Sequence, residues 1–357
     1  MEYSAEFQYD DSMNDTYNYT FNYNDMLDEN CTSCGSKSYA INMVALVFYC
    51  LTCALGIPGN ALVVWIAGIK MKKTVNTTWF LNLAIADLLC CLSLPFTVAD
   101  MLLDSHWPYG NVMCKVLPAI IVLNMFASVF TLSFIGLDRF IQVVKPVWAQ
   151  NNRSLRLAWV CCGVAWALAF LLSLPTMVLR EHVTDEAFNF SGCLFSLNND
   201  SVELYLDDSY RALIVGRFVL GFLIPLLSIA VCYALIARRV CSSNFRSGRA
   251  FRIMLAVVLA FFLSWLPYHV IGLLDIYGES QVRTVATTID PLALALAYTN
   301  SCMNPILYVF MGQDFKEKIK LSLRRVFEKA FSEDKTLSSG YTKEQSSHGT
   351  LTSEAQL

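Results

Sequence analysis

Charge is what this 357-residue chain has least of: Asp, Glu, Lys and Arg make up 15% of it, against 55% hydrophobic residues. Soluble domains carry about 25% charged residues. The shortage is concentrated. Charged side chains are absent from Ser38–Ile69, Val116–Leu137, Leu157–Leu179, Phe218–Ala237, Ile253–Leu274 and Pro291–Gln313, and Val75–Ala99 is broken only by Asp87. An α-helix needs about 20 apolar residues to cross the hydrocarbon of a bilayer, and all seven runs meet that length. A water-soluble protein of this size has no use for seven such helices. The pattern excludes that class and predicts an all-α membrane bundle of seven transmembrane helices.

Other absences narrow the reading. Met1–Glu29 has no basic stretch and no apolar run, so it does not read as a cleaved signal peptide, and the first span is expected to direct insertion. Lys and Arg are scarce in alternate connections, and the first 37 residues contain only Lys37. By contrast, Lys70, Lys72 and Lys73 follow the first span, and Arg139, Lys145, Arg153 and Arg156 lie between the third and fourth. Arg238, Arg239, Arg246, Arg249 and Arg252 lie between the fifth and sixth. The positive-inside rule therefore places the N-terminus outside and the C-terminus in the cytoplasm. Pro291–Gln313 has no lysine for a retinal Schiff base, and no inverted repeat suggests a transporter. No nucleophile–base pair, metal-ligand cluster or phosphate loop points to an enzyme, and nothing points to a nucleic-acid partner.

Most of the thirteen cysteines lie in the apolar runs, where a small buried hydrophobe is the ordinary role. Cys114 and Cys193 differ, because both fall on the oxidising side. One begins the third span and the other sits in the second outer loop, where a disulfide would staple that loop over the bundle. Cys31 and Cys34 have no second pair or nearby His, which leaves a local disulfide or two free thiols. Glycosylation sequons on the outer side begin at Asn14, Asn18, Asn189 and Asn199, while those at Asn76 and Asn152 fall inside and are expected to stay unmodified.

Polar residues inside spans are costly and mark function or an internal network. Asp87 is central in the second span, beside Asn82; Asn124 and Ser128 are one turn apart in the third; Asn300, Ser301 and Asn304 share the inner half of the seventh. Their oxygens could hold a sodium ion, the only cofactor the sequence suggests, or form a structural hydrogen-bond cluster. Asp138-Arg139-Phe140 closes the third span, Asn304-Pro305-Ile306-Leu307-Tyr308 closes the seventh, and Ser264-Trp265-Leu266-Pro267 lies within the sixth. Pro225, Pro267 and Pro305 each remove a backbone donor and are expected to kink their helices.

Taken in order along the spans, these motifs resemble the rhodopsin class of G-protein-coupled receptors. Gly59-Asn60, Asn82-Leu83-Ala84-Ile85-Ala86-Asp87, Trp166, Asp138-Arg139-Phe140, Pro225 with Tyr233, Trp265-Leu266-Pro267 and Asn304-Pro305 with Tyr308 carry the resemblance. Phe140 stands where the class usually has Tyr, and Ser264 where it usually has Cys. The chemoattractant branch is matched by His106-Trp107-Pro108-Tyr109-Gly110, Lys145-Pro146-Val147-Trp148-Ala149-Gln150-Asn151 and Phe310-Met311-Gly312-Gln313-Asp314-Phe315. Leu117-Pro118 and Arg217-Phe218-Val219-Leu220-Gly221-Phe222 look most like its complement anaphylatoxin members. The short second outer loop favours the component-five type over the component-three type. The other readings are a chemerin-like or formyl-peptide-like receptor, and a decoy that internalises ligand without signalling.

The resemblance implies a plasma-membrane receptor for a basic chemoattractant peptide, active in chemotaxis and inflammation. Ligand would swing the sixth helix outward about Trp265 and Pro267, and Arg139, Tyr233 and Tyr308 would rearrange to admit a G protein of the inhibitory type. Arrestin and receptor kinases are the further partners it implies. Near the outer face Arg180, Arg217 and Asp290 remain. Arg217 and Asp290 could pair with each other. Alternatively, Asp290 would take the guanidinium of a ligand's C-terminal arginine while Arg180 or Arg217 takes its carboxylate.

The organisation follows. Residues 1–37 form an acidic, Tyr-rich outer tail expected to be disordered until it binds, with Tyr9 the first candidate for sulfation and Tyr3 the second. Residues 38–312 form the bundle. Residues 313–330 alternate basic and apolar positions and predict an amphipathic eighth helix on the membrane surface. Residues 331–357 form a Ser/Thr-rich cytoplasmic tail, in which phosphorylation of Ser332, Thr336, Ser338 or Ser339 would attract a basic partner.

Overall fold

A computed structural model describes residues 32–103, 106–185, 190–195, 203–241 and 249–311. The expectations for Tyr3, Tyr9, Asn14, Asn18, Asn189, Asn199, the amphipathic eighth helix and the phosphorylated tail lie outside them. The end of the bundle that the charge pattern assigns to the outside is called outer below.

Helix α1 (Thr32–Trp65) ends in a π turn, Ile66–Lys70. Helices α2 (Val75–Leu102) and α3 (Gly110–Val144) follow, then the short α4 (Pro146–Asn152) and α5 (Leu155–Val178). The fifth span is composite: α6 (Glu203–Phe218), a π turn Val219–Leu223, and α7 (Ile224–Cys241). The sixth span is α8 (Arg249–Tyr277) and the seventh is α9 (Ser280–Met311). The first six spans are long and apolar enough to cross a membrane. The seventh, α9, carries the run Thr299-Asn300-Ser301 and then Asn304, which dilute its apolar character; Asn300, Ser301 and Asn304 are all buried. Large apolar side chains left exposed, such as Leu55, Leu171, Leu227 and Leu263, belong on the lipid-facing belt of such a bundle.

Local chemistry sets the helix ends. Thr74 caps α2 reciprocally: Thr77 N–H donates to its hydroxyl (3.2 Å), and its own N–H donates to Thr77 Oγ1 (2.7 Å). Ser154 caps α5 by accepting from Leu157 N–H at 3.2 Å. The π turn in the fifth span sits where Pro225 cannot donate to the Gly221 carbonyl four residues earlier. Gly221 lies there against α3, and a Cβ on it would stand 2.7 Å from Met125 Cε and 3.1 Å from Phe126 Cε1. Pro267 and Pro305 lie inside α8 and α9.

Helix α3 is the axis of the bundle. Of its most apolar window 67% is buried, against 22% for the first span, and it packs against α2, α5, α7 and α8. Met125, Val129 and Ile135 on α3 are wholly buried, among Leu83, Phe261 and Trp265 of neighbouring helices.

One element departs from the all-helical expectation. The second outer loop folds as a hairpin, β1 (Arg180–Asp185) antiparallel to β2 (Phe190–Phe195), with His182 opposite Cys193. The disulfide Cys114–Cys193 ties β2 to the start of α3, with Cα atoms 5.4 Å apart. Trp107 makes a second tie. Its N–H donates to Ser191 O at 2.8 Å, its carbonyl accepts from Ser191 Oγ at 2.8 Å, and its indole N–H reaches Gly110 O at 2.9 Å. Gly110 starts α3 with φ 66°, a left-handed conformation that suits glycine.

Candidate functional site

The hairpin roofs a cavity of about 420 Å³ among the outer ends of the second, third, fifth, sixth and seventh spans. All three residues singled out as ligand contacts line it: Arg180 on β1, Arg217 on α6 and Asp290 on α9. Arg217 is 7% exposed, donating through one terminal nitrogen to Thr176 Oγ1 (2.8 Å) and through the other to Tyr268 Oη (3.1 Å). Arg180 donates to Cys193 O at 3.2 Å, and its guanidinium lies over the Phe195 ring, 4.1 Å from the centroid. The Nε of each arginine is buried without a partner.

Asp290, by contrast, is exposed to the cavity. It forms no salt bridge with either arginine, so the Arg217–Asp290 pair does not occur in this arrangement. Burial lowers the pKa of Arg180, Arg217 nearby lowers it further, and Tyr210, Tyr268 and Asp290 oppose them. A guanidinium stays charged throughout. The cavity thus presents charges of both signs, separated from one another. Such a site can receive a zwitterionic end: a carboxylate on the arginines and a cation on Asp290.

Sequence reading missed several lining residues, namely Asp100, Tyr210, Tyr268, His269 and Asp275. Asp100 and Asp275 stand at span ends, where a carboxylate looks like loop, and His269 is neutral in an otherwise apolar run. Below the cavity, Trp265 is 1% exposed. Its ring contacts Tyr268 (centroids 5.5 Å apart), His269 (6.3 Å) and Phe261 (6.0 Å), so a shift of the cavity floor bears directly on it.

Further in, Asp87 is wholly buried and accepts from Asn304 Nδ2 at 2.7 Å. Asn124 donates to Ser301 Oγ (3.1 Å), Ser128 donates to Asn124 Oδ1 (3.4 Å), and Asn60 donates to Ser301 O (2.7 Å). Left buried without partners are Asp87 Oδ1, Asn60 Oδ1, Asn304 Oδ1 and Asn300 Nδ2. Three of these four are oxygens, the donor set a hard cation takes. Asn82, adjacent to this group in the sequence pattern, turns instead to Trp166, accepting from its indole N–H at 3.2 Å.

At the inner end Asp138 and Arg139 do not bond to each other. Asp138 is clamped by Arg153, with Nε at 2.7 Å from Oδ1 and a terminal nitrogen at 3.1 Å from Oδ2; Gln142 Nε2 donates to Oδ2 at 2.7 Å. Arg139, 9% exposed, donates to Asn76 Oδ1 at 2.7 Å and to Gln142 Oε1 at 3.4 Å. The same Asn76 oxygen accepts from Arg153 at 2.7 Å. Asn76, Gln142 and Arg153 were visible only as an unused sequon, a polar residue and one of several loop cations. Tyr233 is half-buried within electrostatic reach of Arg139. Tyr308 lies on α9, and its side chain falls outside the described part.

Comparison with known proteins agrees with this architecture. The profile of the seven-transmembrane receptor (rhodopsin family) matches residues 59–308. A C3a anaphylatoxin chemotactic receptor of Danio rerio is 57% identical over 343 residues, covering 95% of this chain and 92% of the relative. One of Oncorhynchus mykiss is 56% identical over 347 residues, covering 96% and 94%. A C5a anaphylatoxin chemotactic receptor 1 of Oryctolagus cuniculus is 39% identical over 317 residues, covering 88% and 89%. These identities correct the component-five preference drawn from the short loop. The two relatives with the component-three name share more of their residues with this chain than the component-five receptor does. The chain belongs to the rhodopsin family of seven-transmembrane receptors and is similar to the anaphylatoxin chemotactic receptors of its chemoattractant branch.

Proposed function

We propose that this chain is a plasma-membrane receptor for a C3a-type anaphylatoxin, a basic chemoattractant peptide with a C-terminal arginine. One observation carries the reading: Arg180, Arg217 and Asp290 line one cavity without neutralising one another. Asp290 takes the ligand's guanidinium in a forked hydrogen bond. The buried, unpartnered Nε atoms of Arg180 and Arg217 offer donors for the terminal carboxylate. The N-terminus is outside, where the acidic tail attracts a basic ligand, and the C-terminus is cytoplasmic.

Signalling is a population shift, so ligand must favour the open state over the closed one. Ligand presses on the floor made by Tyr268, His269 and Trp265, and the sixth span swings outward about Pro267. Arg139 then leaves Asn76 and turns with Tyr233 and Tyr308 toward an inhibitory-type G protein; receptor kinases and arrestin act afterwards on the tail. Asp87, with the Asn304 and Asn60 side-chain oxygens, would hold a sodium ion, whose charge would favour the closed state.

The test is a double-mutant cycle. Removing the C-terminal arginine from the peptide should weaken binding strongly in the wild type and far less in Asp290→Ala. The coupling should be roughly 1.5–5 kcal/mol for a desolvated pair. Additive losses, with truncation costing the same in both receptors, would remove Asp290 from ligand recognition.

A further inference from the structure

The outer cavity holds more negative charge than a single arginine can answer. Asp100, Asp275 and Asp290 line it against Arg180 and Arg217, and none of the five forms a salt bridge among the described residues. A peptide ending in arginine brings one guanidinium and one terminal carboxylate, which cancel. One carboxylate of the wall is then left without a counter-charge as the cavity closes over the ligand, and an uncompensated charge taken from water is costly. Independent of that count, the cavity wall holds polar atoms without a hydrogen-bond partner among the described residues. Arg217 is 7% exposed with Nε unpartnered, and His269 is 3% exposed with Nε2 unpartnered. Both residues line the same space.

Among the carboxylates Asp275 is the one held in place. Tyr210 Oη donates to its Oδ2 at 3.2 Å, and Oδ1 makes no hydrogen bond among the described residues. The Tyr210 ring meets Phe195 edge-on, centroids 5.0 Å apart, and Phe195 in turn lies beneath the Arg180 guanidinium. Arg180, Phe195, Tyr210 and Asp275 therefore form one continuous wall from the hairpin to α8. Asp275 is also near enough to Asp290 for the two to repel each other. With the terminal arginine on Asp290, a second cation on Asp275 gives each carboxylate its own counter-charge.

We infer that Asp275, oriented by Tyr210, is a second cation-binding carboxylate of the cavity, and that the receptor selects peptide ends carrying a basic side chain upstream of the terminal arginine. The inference rests on the reading of Asp290 as the partner of that arginine. Asp275 is the specificity-determining residue and Tyr210 a positioning residue.

The experiment uses the full-length receptor in cell membranes and synthetic hexapeptides ending in arginine. Each upstream position in turn carries lysine or its uncharged isostere norleucine. In the wild type, at least one position should favour lysine by about tenfold, which is ~1.4 kcal/mol. That preference should vanish in Asp275→Asn, survive in Asp275→Glu and weaken in Tyr210→Phe. Removing the terminal arginine should cost Asp275→Asn as much as it costs the wild type, so a failure of the Asp290 reading shows up separately. A wild-type receptor indifferent to lysine at every position overturns the inference without any variant having to fold. A lysine preference that persists in Asp275→Asn overturns it as well, because the general acidic field would then be its source. Equal losses in Tyr210→Phe and Asp275→Asn for both peptide series would make the pair a structural latch instead.

Discussion

Arg139 and Asp138 are neighbours in sequence, yet each takes its partners from elsewhere. Arg153 holds Asp138 from 15 residues away, and Asn76 holds Arg139 from 63. A charge-assisted bond to a half-buried carboxylate is stronger than a neutral one, so Arg153 fixes the inner end of α3 against the loop that carries α4. Arg139→Ala should abolish G-protein activation while leaving surface expression and peptide binding largely intact, because the change is remote from the outer cavity. Unchanged second-messenger responses at matched expression would remove Arg139 from that role. Arg153→Ala should raise basal signalling by freeing Asp138, and an unaltered basal response would show that the clamp does not restrain the receptor. The motif Asp138-Arg139 was legible from the sequence, but its clamp was not. Spacing along a chain says nothing about which loop cation folds back onto which helix.

Two elements show where pattern reading stops. The fifth span is a single apolar run in sequence, and it divides at a π turn because Pro225 leaves the Gly221 carbonyl without its donor. Gly221 there packs closely against Met125 and Phe126 of α3. Gly221→Ala must move Met125, which is flexible, and Phe126, which is 1% exposed and stacked on Phe130. The overpacking should cost about 1–3 kcal/mol, read as a lower melting temperature of the purified receptor in detergent; an unchanged melting temperature would mean that this contact has slack. The hairpin was not legible as strands. Its order comes from ties to two residues outside it, Cys114 through the disulfide to Cys193 and Trp107 through its hydrogen bond to Ser191. The sequence motif His106-Trp107-Pro108-Tyr109-Gly110 was informative as a resemblance, and the structure supplies its work: Trp107 joins the hairpin to the turn that starts α3.

For the whole molecule, the outer cavity and the inner clamp lie at opposite ends of the bundle, and the buried polar cluster around Asp87 stands between them. The sodium reading makes that cluster the coupling device. Raising sodium at constant ionic strength should lower agonist affinity in the wild type by about fivefold or more, a typical allosteric coupling. In Asp87→Asn the dependence should disappear, since the amide removes the charge that attracts the ion. A wild-type affinity indifferent to sodium would leave Asp87, Asn124, Ser128, Asn300 and Asn304 as a structural hydrogen-bond network alone.

By itself, the sequence determined the number of spans and the helical class. Each of those follows from the cost of placing charge or unbonded backbone in hydrocarbon, and that cost is paid residue by residue along the chain. Arg180, Arg217 and Asp290 were legible for the same reason, as charges at the margins of runs that otherwise exclude them. Only the tertiary structure decided that these three share a cavity without pairing, that Asp275 and Tyr210 join them, and that Arg153 rather than Arg139 holds Asp138. Those outcomes depend on how helices rotate and slide against one another, and hydrogen bonds between side chains are satisfied only at the few ångströms that such packing sets.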